Sequence, residues 1–255
     1  MNINSVKIGF LAALTLAAVG CGTKDAPGPL EPSGPTGRVR FVNLITDPAR
    51  TPVNAILEGV PFGAGLGYAA TTPSTLPSPA TANYSAILTG NRTLVVKKTA
   101  DTAVTLATIV FPVTANQDQT VYATGGTGGA AVTNFVTTDA NPVPTSTQVA
   151  LRIVNMSPSA GALDYFVTAP NADLSTATPT AANVAYQGSS AYLTLAPGTY
   201  QVRAVPAGTL PAARSTTVSV AINSLALAGG TGRTVVTADK AAGGTPIVAF
   251  VLTDR

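Results

Sequence analysis

Few residues of this chain could do chemistry, and the missing types decide most of the reading. Histidine is absent, which removes the usual general base, the commonest zinc ligand and every Ser-His-Asp or Cys-His device. The one cysteine is Cys21, so beyond it there is no disulfide, thiol nucleophile or thiolate metal site. The 11 carboxylates stand singly, without the spacing of a calcium loop or a close acidic run. Neither Ser-x-x-Lys nor Gly-x-Ser-x-Gly occurs. These absences predict no catalytic residue, no metal and no cofactor, and hence a protein that is not an enzyme. The 14 cations leave a net charge of +3 and are scattered, with Lys97–Lys98 the one adjacent pair. Nucleic acid requires a basic stripe, so none is expected as a partner.

What remains is a short list of recurring polar residues. Arg40 and Arg152 stand in like surroundings, VRFVN at Val39–Asn43 and LRIVN at Leu151–Asn155. Strand alternation sets them opposite Phe41 and Ile153, which predicts that they face solvent or a sheet rim. Asp164 is a candidate partner for Arg152, with Asn54 at the corresponding place in the first half. The Gly-rich stretches Thr124–Gly129 and Gly229–Gly232 lack the strand-loop-helix context of a phosphate cradle and read as turns between strands. Tyr84 and Tyr192 recur as half-buried sandwich residues. Tyr186, with Gln187, Ser189 and Ser190, lacks a counterpart in the first half, and this is the candidate ligand surface.

The elements that position these residues are written twice. Besides VRFVN and LRIVN, ATGGTGG at Ala123–Gly129 is matched by LAGGTGR at Leu227–Arg233, and NFVTTD at Asn134–Asp139 by AFVLTD at Ala249–Asp254. The spacing of roughly 104 to 115 residues exceeds any solenoid period and indicates two whole domains. Short β-branched runs separated by Gly, Pro and Asn turns fill both halves, seven or eight in about 100 residues, which predicts an all-β chain of two tandem Ig-like or similar β-sandwiches. The expected bounds are 38–139 and 149–255, joined by a linker over 140–148 (ANPVPTSTQ). Two loops differ between the halves, Ala70–Thr81 and Pro170–Asn183.

The N-terminal segment carries an address. Ile8–Gly20 is apolar, about 13 residues, too short for the roughly 20 of a membrane-spanning helix and right for a signal peptide over 1–20. Ala18-Val19-Gly20-Cys21 resembles a bacterial lipobox, which implies a lipid on Cys21 and attachment to a membrane. Residues 21–37 (CGTKDAPGPLEPSGPTG) then form a Pro/Gly tether, reaching up to ~50 Å at about 3.1 Å per residue. Gly22 in place of Asp favours the outer membrane or cell surface.

Two segments of the second half, LRIVNMSPSAGALDYFV (Leu151–Val167) and YLTLAPGTYQVRAVPAG (Tyr192–Gly208), resemble the extracytoplasmic domain of unknown function 4397. The first half resembles it through VRFVNLITDP and VNAILEG, without the Pro-Gly-Thr-Tyr turn. The resemblance implies a β-domain of bacterial surface proteins and no particular chemistry. The expected protein is a lipid-anchored bacterial cell-envelope protein with a non-catalytic structural or interaction role. The alternative is a glycan- or peptide-binding surface lipoprotein for adhesion or uptake, with a glycan or an envelope protein as partner.

Overall fold

The computed structural model describes residues 34–73 and 83–254; Cys21, the signal segment and most of the Ala70–Thr81 loop lie outside them. Among the described residues eighteen strands form four sheets, with nine strands in each half. In the first half β1 (Thr36–Ile45) is flanked by β4 (Thr71–Thr72) and β5 (Ser85–Leu88) on one side and β8 (Asp118–Gly125) on the other, with β9 (Val132–Asp139) beyond. The facing sheet runs β3 (Val60–Leu66), β2 (Val53–Leu57), β6 (Gly90–Lys98), β7 (Thr105–Val113). The second half repeats this order. One sheet holds β13 (Gly188–Ser189) and β14 (Leu193–Leu195) beside β10 (Val149–Met156), then β17 (Gly232–Asp239) and β18 (Ile247–Thr253). The other runs β12 (Ala181–Val184), β11 (Leu163–Thr168), β15 (Gly198–Pro206), β16 (Val220–Leu227). The two β-sandwiches expected from the sequence are present, each with its own core.

In each half one strand pair is parallel. β1 pairs with β8, Arg40 opposite Thr120, and β10 pairs with β17, Arg152 opposite Thr234. These strands are buried along nearly their whole length, which antiparallel strands with a wet face are not. Alternation explains how. Val39, Phe41 and Ile45 enter the first sandwich core. Val42, Leu44 and Tyr122, on the opposite face, meet Val154, Met156, Val236, Ala238 and Leu252 in a further core made by both halves. The two parallel-paired sheets therefore pack against each other, and the described strands form four layers.

Some sequence expectations shift. The strands β3, β4, β12 and β13 escaped the sequence reading, β3 because Pro61, Gly63 and Gly65 interrupt its apolar residues and the others because they are four residues or shorter; Thr217–Ala221 and Ser224–Leu227, read as two strands, contribute to the single β16. The ATGGTGG/LAGGTGR match is out of register. Thr124–Gly129 lies at the end of β8, whereas Gly229–Gly232 leads into the start of β17, which is the counterpart of β8. The true counterpart of the first loop is the β17–β18 turn, with Ala242 to Gly244 all at positive φ. Gly229 has its own reason to be glycine: a Cβ there would sit 1.8 Å from Ser146 O. The segment joining the sandwiches docks at that point, with Gly230 N donating to Thr145 O and Gln148 O.

The Pro170–Asn183 loop is packed rather than free. Leu174 is buried with Phe166 and Val205 on the outer face of the β11–β15 sheet. Arg214 lies 5.2 Å over the Phe166 ring and donates to Ala177 O at 2.7 Å.

Candidate functional site

Arg40 and Arg152 do not face solvent; both are 2% exposed. The sequence reading assumed that the face opposite Phe41 and Ile153 is wet, whereas the other sandwich covers it. A guanidinium in such a place must be paired, and the partners come from across the interface. Arg40 Nη2 donates to Asp254 Oδ1 at 2.9 Å and its Nη1 to Thr253 O at 2.9 Å, both in the second sandwich. Arg152 Nη1 lies 2.6 Å from Asp139 Oδ1, in the first. Each arginine keeps one bond at home, Arg40 Nε to Thr120 Oγ1 at 3.1 Å and Arg152 Nε to Thr234 Oγ1 at 3.3 Å. The halves thus exchange arginines, as an approximate two-fold relation between like surfaces demands.

The two carboxylates are held alike. Asp139 accepts from Thr137 at 2.6 Å, Thr120 at 2.5 Å and Tyr84 at 2.8 Å. Asp254 accepts from Thr234 at 2.6 Å and Tyr192 at 3.1 Å. Tyr84 and Tyr192 also roof the cations, with ring centres 4.5 Å from Arg40 Cζ and 5.0 Å from Arg152 Cζ, a geometry that attracts a guanidinium. Tyr192 further donates to Asn141 Oδ1 at 2.7 Å, and Asn141 Nδ2 to Asp118, which forms a fork with Arg38 at 2.6 and 2.5 Å. Burial works against the charge of Arg40, but the Tyr84 oxygen and the Asp254 carboxylate outweigh it and hold its pKa above the usual arginine value. Burial likewise opposes Arg152, and Asp139 foremost reverses the effect. Burial raises Tyr84 and Tyr192 well above a normal phenol.

This arrangement is a neutral latch of two cations and two anions whose carboxylates are satisfied. Every oxygen of Asp139 and Asp254 already has a donor, so neither offers an electron pair to a metal or a substrate proton. Among the described residues no group of three or more His, Cys, Asp or Glu could hold a metal ion. Two polar atoms are unpartnered, Arg152 Nη2 in the latch and Tyr122 OH beside it. Tyr122 is 0% exposed, so its hydroxyl has lost water and gained nothing. Tyr122→Phe is expected to raise the unfolding free energy by about 1 kcal/mol, read as a higher urea midpoint at unchanged slope.

Asp164 does not pair with Arg152. It accepts from Asn183 N at 2.7 Å and Gly208 N at 3.2 Å, fixing turns, and Asn54 does the same for Gly65 N at 2.9 Å. The shared task needs only an acceptor oxygen, which is why Asn and Asp interchange. Tyr186 does have a counterpart. Ala69 N and Gln187 N bond the carbonyls of Asn43 and Asn155, and both residues have positive φ, 61 and 58. Tyr186 therefore corresponds to Tyr68. Each reaches across the interface, Tyr68 OH to Asp239 O and Tyr186 OH to Thr133 Oγ1 at 2.7 Å. Gln187 follows with a bond to Asn134 O at 3.1 Å. Of the four residues of the candidate ligand surface, these two serve the interface between the sandwiches. Ser189 and Ser190 line an open groove of about 400 Å³ together with residues of β12.

Sequence reasoning missed Asp139, Asp254, Thr120, Thr234 and Asn141 as site residues. The signal was the recurrence itself: Arg40 with Arg152, Tyr84 with Tyr192 and Asp139 with Asp254 all recur, and all converge in space.

No curated protein sequence matches the chain. Several solved structures show slight likeness, two of them as follows. One is the family CBM26 module from Eubacterium rectale Amy13K, solved with maltoheptaose, at 9% identity and TM-score 0.23 over 84% of this chain and 96% of that one. The other is a leucine-rich repeat protein from Bacteroides thetaiotaomicron, at 13% identity and TM-score 0.18 over 81% of this chain and 26% of that one. The sequence profile of DUF4397, a domain of unknown function, matches residues 37–166 and 167–255. Its inner border falls within β11, whereas strand pairing divides the chain between β9 and β10. The doubled strand order and the doubled latch are accordingly those of two consecutive copies, and the chain belongs to the DUF4397 family.

Proposed function

We propose that the protein is a non-catalytic interaction module of the bacterial cell envelope, held to a membrane by lipid on Cys21. The observation that carries the non-catalytic part is the saturation of the two latch carboxylates. Of the ionisable side chains that converge in the described structure, Arg40, Arg152, Asp139 and Asp254 are consumed in joining two sandwiches, and the pocket of about 280 Å³ beside Arg38 and Asp118 is lined by a closed bidentate ion pair rather than by a nucleophile and a base. The joined face is large, apolar and ion-paired, so the two sandwiches act as a single stiff unit on a Pro/Gly tether. That build suits presentation of loops and edges away from a surface. Anchoring rests on the sole cysteine standing where the lipobox-like segment ends, and Gly22 favours the outer membrane or cell surface.

The anchor is tested by metabolic labelling with radioactive palmitate in a bacterial host. Label is expected in the wild-type chain, and Cys21→Ser is expected to abolish it and release the protein from the membrane fraction. Label that persists in Cys21→Ser, or never enters the wild type, would overturn the anchoring.

A further inference from the structure

The duplication supplies an internal comparison at the open side of each sandwich. In the first sandwich the gap between the two sheet edges, β3 and β4, is closed. Thr72 Oγ1 donates to Phe62 O at 2.5 Å, the Phe62 ring packs onto the core, and a Cβ on Gly63 would lie 2.9 Å from Thr72 Cβ. Gly63 pairs with Ala55 and Ala181 with Tyr165, the corresponding residues of β2 and β11, so Thr180 stands where Phe62 does. Ser190, the counterpart of Thr72, turns its hydroxyl to Ala191 O at 2.7 Å and accepts from Ile153 N, making no bond to β12. The gap that Phe62 and Thr72 close in the first sandwich is the 400 Å³ groove of the second.

The lining defines what fits. Thr180 to Ala185 form one wall, and Gly188 to Ala191 with Leu193 the other. None of these side chains is charged, and alanine recurs where bulk would fill the space. Both walls are sheet edges, since β12, β13 and β14 each have a strand on one side alone. Gln187 N and Ser190 N are spent inward on Asn155 O and Ile153 O. Asn183, at φ 52, is exposed at the rim with Ser189. An open edge offers backbone bonding to an added strand, and the absence of charge selects a neutral occupant.

We propose that this groove binds an extended, uncharged peptide segment, which lies along the β12 and β13 edges and sets one aromatic or large aliphatic side chain in the space that Phe62 fills in the first sandwich. The inference rests on the reading of the protein as an interaction module and names its ligand class. A glycan fits less well, because the lining has no aromatic face for a sugar ring to stack on.

The test uses the full chain and a blocked synthetic peptide, Val-Pro-Phe-Gly-Ala-Gly-Leu, the sequence of Val60–Leu66. Backbone amide resonances of Ala182, Ser189 and their neighbours are expected to shift saturably on titration. The exposed substitution Ala182→Glu, which sets a charge in the groove, is expected to weaken binding at least tenfold with an unchanged melting temperature. A peptide with glycine in place of the phenylalanine is expected to weaken it as much against the wild-type protein, a result independent of any variant's folding. Groove amides that stay still with the peptide, that move equally in both peptides, or that respond to maltoheptaose alone would overturn the proposal. The palmitate labelling is untouched by any of these results, so failure of the groove and failure of the anchored module are told apart.

Discussion

Asp139→Ala is expected to be among the most damaging single substitutions in the molecule, costing about 3–5 kcal/mol of unfolding free energy. The carboxylate accepts from Thr120, Thr137 and Tyr84 and pairs with Arg152 across the interface. Its removal leaves a buried cation without its counter-charge and takes the best acceptor from three buried hydroxyls. The physics also predicts an asymmetry. The double variant Asp139→Leu with Arg152→Met removes both charges together, keeps the Arg40–Asp254 pair at 2.9 Å, and fills the volume with apolar atoms. It is expected to recover at least about 2 kcal/mol of the single variant's loss. Urea unfolding of wild type, single and double variants measures this. A double variant as unstable as Asp139→Ala alone would mean that the carboxylate acts through its hydroxyl donors and not through its charge.

That latch also marks the limit of what could be read from one sequence. The duplication, the β class and the order of most strands were legible, because β-branched runs and their turns are local signals. The burial of Arg40 was not, because it depends on what covers the second face of β1. Even so, Val42 and Leu44 share that face with Arg40, and a strand apolar on both faces announces that both are covered. The partner carboxylate was out of reach for another reason. Asp254 lies 214 positions from Arg40, and nothing local connects them. Tyr186 appeared unmatched because, of Leu66–Thr72 (LGYAATT) and Val184–Ser190 (VAYQGSS), only the tyrosine is identical; backbone bonds and a shared positive φ at the next residue establish the equivalence, and side-chain letters do not encode them. The groove was invisible as well, since it arises from side chains that are small where the first sandwich has Phe62.

Alkaline conditions are expected to unfold the protein over a defined window. Burial raises Tyr122 from the usual 10 to about 12 and, with help from the Asp239 carboxylate, Tyr68 to about 12. Burial shifts Tyr84, Tyr165 and Tyr192 upward as well. A phenol whose folded pKa is raised costs nothing below the unfolded value near 10. Between there and the folded value the unfolded chain releases a proton that the native state retains, so stability falls as pH rises. For Tyr122 alone, fully buried, the loss across the window is on the order of 2–3 kcal/mol. The unfolding free energy measured in urea is expected to fall steeply from pH 10 to pH 12, with tyrosinate absorbance rising cooperatively with loss of β circular dichroism. Tyrosinate absorbance that rises to completion while the β circular dichroism stays intact would contradict it.

The central position of the first strand in each sandwich has a consequence for the order in which the molecule can be made. Arg38 faces Asp118 and Ile45 faces Gly125, in a parallel pairing that spans 80 positions. A chain that emerges from its N-terminus therefore carries β1, with Val39, Phe41 and Leu44, unpaired along its β8 edge until Gly125 has appeared. Arg40 waits longer still, for Asp254. Only the short strands β4 and β5 can pair with β1 meanwhile, on its other edge, and contacts as distant as those to β8 form slowly. Nascent or truncated chains thus expose a long apolar strand with an ion at its centre, and they depend on whatever shields such strands until the last segment arrives.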